Sequence, residues 1–154
     1  MKELIEYRKS LVNKLTSLAY EFRAECLKAE DAYTPLNEEG WNVHQIAVHV
    51  RDIDKLVYGM RARRTAVESN PEFSKFDGDA YMAEHYSAEE PLDKILNGFV
   101  KNVEALTQLL NDLPNDAWSR ESRHVTLGHG FTLQSWVERA LAHIEEHIKT
   151  VKKE

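Results

Sequence analysis

The sequence predicts an all-α protein, a four-helix bundle. Three observations predict it. Apolar residues recur three and four positions apart in four long segments. No segment alternates convincingly as a strand. Helix start and stop residues bound the segments, and two of the joins between them are long.

The first helix reads Leu4/Ile5, Leu11/Val12, Leu15, Leu18/Ala19, Phe22 and Cys26. Cys26 falls on this stripe and is expected to pack as a small core residue. The second reads Val43, Ile46, His49/Val50, Ile53, Leu56/Val57 and Met60, with Asn42 as its cap and Gln45 reaching back to complete a capping box. The third reads Leu92, Ile95/Leu96, Phe99/Val100, Val103, Leu106, Leu109/Leu110 and Leu113. Ser87 and Glu90 suggest a second capping box there, with Pro91 tolerated in the first turn. Pro114 ends that helix. The fourth, capped by Thr132, reads Leu133, Trp136/Val137, Ala140, His143/Ile144, His147/Ile148 and Val151.

The joins 66–87 and 114–131 are each long enough, at ~3.3 Å per residue, to cross the whole bundle. Up-down-up-down topology is therefore not forced. A short helix is expected around Asp77 to Tyr86. The stretch HVTLGHGFT suits a turn or a small hairpin.

The 154 residues suit one domain, 1–154, with one core. A composition 42% apolar and 30% charged is that of a globular chain. The net charge of -6 leaves no electrostatic footprint for nucleic acid or for an anionic membrane. The polar start MKELIEYRKS is not a signal peptide, and no apolar run approaches the ~20 residues that span a bilayer. One cysteine permits no internal disulfide, which fits a cytoplasmic setting.

The chemistry lies in three histidines on apolar stripes. His143 and His147 are separated by ~40° around the helix and ~6 Å along it, so both can hold one ion. His49 follows Ile46 by three and precedes Ile53 by four, so it also points inward. It lies ~10 Å into the second helix, and the other two centre ~10 Å from the end of the fourth. Antiparallel packing of these helices brings all three to one level; parallel packing separates the levels by ~7 Å. Each buried imidazole needs a partner, and a shared divalent metal supplies one, with zinc, nickel or iron(II) compatible. Three neutral nitrogens leave positions open for water or substrate.

The other histidines are expected elsewhere. His44 lies about 140° from His49 around the helix, and His85, His124 and His129 fall in expected surface loops. Asp52 could accept an imidazole N–H or stay solvated. Arg61, Arg63 and Arg64 are expected to meet the helix C-terminus and solvent, with an anion site as the alternative. HIEEH matches the inverzincin pattern, but the small helical chain leaves no room for a downstream ligand. A diiron bundle needs two inward Glu-x-x-His motifs, and the one present, Glu121 to His124, is in a loop. Trp136 suits the core, while Trp118 could line a pocket or a dimer face.

Trp41, His49 and Asp52 in GWNVHQIAVHVRDID, with His143 and His147 in ALAHIEEHIKTVKK, resemble the signature of the DinB/YfiT-like superfamily. The resemblance covers nearly the whole chain. It implies up-down-down-up topology with a long crossing between the second and third helices. It implies a divalent metal held by His49, His143 and His147 at one end of the bundle, and a homodimer. Characterised relatives include transferases and isomerases that use low-molecular-weight thiols such as bacillithiol or mycothiol. The function expected is metal-dependent chemistry on a small molecule, as a thiol-dependent transferase or a hydrolase, with no general base assigned. The alternatives are a non-catalytic metal- or small-molecule-binding stress protein, and a bundle whose histidines are merely buried.

Overall fold

The computed structural model describes residues 1–38 and 40–152. Helix α1 spans Lys2–Leu27. Helix α2 spans Val43–Ile53 and runs through a π turn, Asp54–Tyr58, into α3, Gly59–Val67. The short α4 is Gly78–His85, α5 is Leu92–Asn111 and α6 is Leu133–Lys152. Three short strands, β1 (Glu72–Phe73), β2 (Glu121–His124) and β3 (Gly128–Thr132), form one small sheet in that order. β1 pairs parallel to β2, and β2–β3 is the hairpin. Gly128 and Gly130 take φ of 105° and 80° there, a region that L side chains rarely enter.

The caps follow the sequence with one exception. Asn42 and Gln45 form the reciprocal capping box. Asp77 accepts from the Ala80 N–H at the start of α4, and Thr132 accepts from the Ser135 N–H at the start of α6. The Ser87–Glu90 box does not form, and Pro91 sits just before α5 rather than inside it. Ser87 instead accepts from the Glu89 N–H. Glu90 is engaged elsewhere, its carboxylate with Arg51 at 2.6 Å and its carbonyl with His44 at 2.7 Å.

Side-chain contacts set the helix directions. Tyr7 and Arg8, near the start of α1, bond Glu138 and Gln134, near the start of α6, so these helices run parallel. Tyr20 bonds Glu104 and Arg23 bonds Asn97, so α1 and α5 run antiparallel. Arg51 lies against Gly98 and Arg63 bonds the Asn102 carbonyl, so α2–α3 runs with α5. His49 meets His143 and His147 while Arg61 meets Trp136, so α2–α3 runs against α6. The order is up-down-down-up, and the segment between α3 and α5 crosses the length of the bundle. The core fills the space between these helices, with Leu15, Phe22, Ile95, Leu96, Phe99, Trp136 and Ile144 fully buried. Cys26 is part of it, and burial pushes its thiol up to about 12.

The π turn changes which residues share a face. Gly59 donates its N–H to the Asp54 carbonyl, five residues back. A Cβ at Gly59 would lie 2.5 Å from that oxygen, so the close approach requires glycine. The extra residue takes ~100° out of the phase. In an unbroken helix Tyr58 would lie ~180° and Arg61 ~120° from His49; past the turn these become ~80° and ~20°. Both therefore rotate toward the histidine face.

Candidate metal centre

His49 comes from the middle of α2, and His143 and His147 from one face of α6. Because α2 and α6 are antiparallel, the three meet at one level. A nitrogen from each lies within 4.8 Å of the others. The Nε2 atoms of His143 and His49 are 3.3 Å apart, and the ring centroids are 4.6 to 5.2 Å apart. The Trp41 ring packs on His49 at 5.1 Å, and the Tyr58 ring packs on His143 at 5.5 Å. The first residue of α4 passes over the same place: a Cβ on Gly78 would lie 3.8 Å from His49 Cε1. A cleft of about 500 Å³ opens beside Trp41, bounded by Gln45, Asp79, Met82, Ala83 and Tyr86.

Burial and mutual repulsion keep the imidazoles uncharged. Desolvation, then the neighbouring His147, lowers His49 to about 4. Desolvation, then His147 and His49, lowers His143 to about 3. Desolvation also lowers His147. At neutral pH the cluster therefore offers nitrogen lone pairs. The buried Nδ1 of His147 has no hydrogen-bond partner among the described residues. Uncharged nitrogens converging on one point without enough protein partners form a donor set that fits a divalent ion.

The remaining sequence-level candidates go elsewhere. Asp52 accepts from Arg51 Nε at 3.0 Å rather than from an imidazole, although its charge acts on His49. His44 is fully buried and satisfied: its Nε2–H donates to the Glu90 carbonyl, and its Nδ1 accepts from the Tyr86 hydroxyl at 2.6 Å. His85 ends α4 and His129 lies in β3, both exposed. His124 is not a surface residue: it is buried in β2. Nor is Arg61 solvated, because the π turn directs it inward, where it is 6% exposed. Arg64 pairs with Glu68. Trp136 is in the core, and Trp118 is buried beneath Arg8. Tyr58 and Gly78 carried no sequence signal. Tyr58 reaches the site only through the π turn, and Gly78 through the fold of the crossing segment.

The model of the DinB superfamily matches residues 2–151. The chain belongs to the DinB superfamily. No curated protein sequence matches it. Among solved structures, this DinB protein is similar to YfiT from Bacillus subtilis, with a TM-score of 0.86 and 20% identity over 96% of this chain and 85% of that one. YfiT is described as a probable metal-dependent hydrolase with an unusual four-helix bundle topology. The fold is thus that of YfiT, and the three-histidine group lies within it. Among the described residues, no helix is long and apolar enough to cross a membrane.

Proposed function

We propose that this DinB protein is a metal-dependent enzyme for a small-molecule substrate, with His49, His143 and His147 holding one divalent ion, zinc, nickel or iron(II). The carrying observation is the convergence of three uncharged imidazoles with few protein partners but one another. The description of YfiT as a probable metal-dependent hydrolase favours hydrolysis, and transfer of a low-molecular-weight thiol is the related alternative. When bound, the ion would supply Lewis acidity and would lower the pKa of a coordinated water or thiol.

The chain's own residues supply the setting. Trp41 and Tyr58 pack against His49 and His143 and hold their rings in place. Gly78 allows α4 to approach without a side chain filling the space over His49. The cleft beside Trp41, whose ring packs on His49, gives room for a small molecule. A homodimer and a cytoplasmic setting complete the reading, on the resemblance and on the single buried cysteine.

Elemental analysis of untagged protein beside a His49→Ala/His143→Ala variant tests the site. About one divalent ion per chain, absent from the variant, supports it. No metal in either protein after incubation with zinc, nickel and iron(II) overturns it. Small thiols that raise the melting temperature only with metal present would then favour transfer over hydrolysis.

A further inference from the structure

One turn from the histidines, three hydrogen-bond donors gather around Trp136 and Phe73 with no carboxylate paired to them among the described residues. Arg61, on α3, lies one turn beyond Tyr58. Its guanidinium carbon lies 4.9 Å from the Trp136 ring and 5.8 Å from that of Phe73, and it donates to the Ser74 carbonyl at 2.9 Å. Its buried Nε has no hydrogen-bond partner among the described residues. Arg139 lies four residues before His143, on the same face of α6. Its guanidinium sits 5.3 Å from Phe131 and 5.7 Å from Trp136.

His124 completes the group. Its Nδ1 accepts the N–H groups of Thr126 at 3.1 Å and Leu127 at 3.2 Å. Two donors on Nδ1 leave the ring proton on Nε2, which is therefore a donor with no acceptor among the described residues. His124 is the strand partner of Phe73, over which Arg61 lies.

Three other arginines find carboxylates, Arg51 with Asp52 and Glu90, Arg64 with Glu68 and Arg123 with Glu72, while Arg8, Arg23, Arg63 and Arg120 bond amide, hydroxyl or carbonyl oxygens. Among the described residues, no carboxylate pairs with Arg61, Arg139 or His124. Burying a guanidinium against a second one, with a donor unused, is costly unless something accepts from them. The Trp136 ring lies near both guanidinium groups, and a guanidinium fork matches two oxygens of one anion.

We infer that Arg61, Arg139 and His124 form an oxyanion site that anchors the carboxylate or phosphate of an anionic substrate one helical turn from His143. Its role toward a substrate rests on the metal-centre reading above. Binding of the anion itself does not.

The test titrates metal-free protein with inorganic phosphate and, separately, with acetate, holding ionic strength constant with sodium chloride. Melting temperature and the Nε resonances of the arginines are followed. A saturable shift is expected with at least one anion, retained in the His49→Ala/His143→Ala variant and roughly tenfold weaker in Arg139→Gln. The anion that saturates at lower concentration identifies the group. Arg139 is exposed, so its variant carries the test even if Arg61→Gln does not fold; Arg139→Lys should recover part of the effect. No saturable shift with either anion, or equal shifts in wild type and Arg139→Gln, overturns the site. Failure of the wild-type protein to take up metal, with anion saturation intact, would reject the metal centre alone.

Discussion

His44 and His49 sit five residues apart on α2, and the helix sends them to opposite kinds of surroundings. Both rings are held by aromatic neighbours, His44 by Tyr33 and Tyr86 and His49 by Trp41. Yet His44 has a hydroxyl and a carbonyl on its two nitrogens, while His49 has the Nε2 of another imidazole. Burial alone therefore does not mark a ligand. The mark is burial without enough protein partners, repeated on rings that share one point.

The largest effect that could break this comparison is metal loss. His143→Ala should abolish stoichiometric metal, read by elemental analysis, whereas His44→Ala should retain it. His44→Ala should instead destabilise by about 3 kcal/mol in denaturant unfolding, because it leaves a cavity and strands the Tyr86 hydroxyl and the Glu90 carbonyl. Equal metal loss in the two variants would remove the distinction between them.

Gly59→Ala sharpens the comparison by acting on the π turn that brings Tyr58 and Arg61 to the histidine face. In an ordinary helix this change stabilises by ~1 kcal/mol. Here the new methyl meets the Asp54 carbonyl at 2.5 Å, so a loss of about 2 kcal/mol is expected. A gain in melting temperature would show that the turn tolerates a side chain.

A pH-dependent effect concerns Asp54, buried in the same turn, where desolvation raises its carboxyl to about 7 despite the opposing charge of Arg63. A folded pKa above the unfolded value means that stability is full below about pH 4 and falls as pH rises through 7. Asp54→Asn should therefore stabilise clearly more at pH 8 than at pH 4. A pH-independent difference between the two proteins would point to packing rather than charge.

The amphipathic spacing of Leu, Val and Ile determined the helices by itself, because a 3.6-residue period is local and repeats along each segment. The Asn42 and Thr132 caps were legible for the same reason, as each involves residues three apart. The meeting of His49 with His143 and His147 was also legible, since two helix lengths and one relative direction suffice to align them. The Ser87 cap was misread because Glu90 is taken by Arg51 and His44 from another helix. Tertiary structure alone decided the π turn, and with it the inward path of Tyr58 and Arg61. One added residue in a helix rotates everything after it by ~100°, and no periodic pattern announces it. The site on Arg61, Arg139 and His124 likewise depends on chain segments brought together from α3, α6 and the hairpin, where the lack of a paired carboxylate among the described residues becomes visible only once the neighbours are in place.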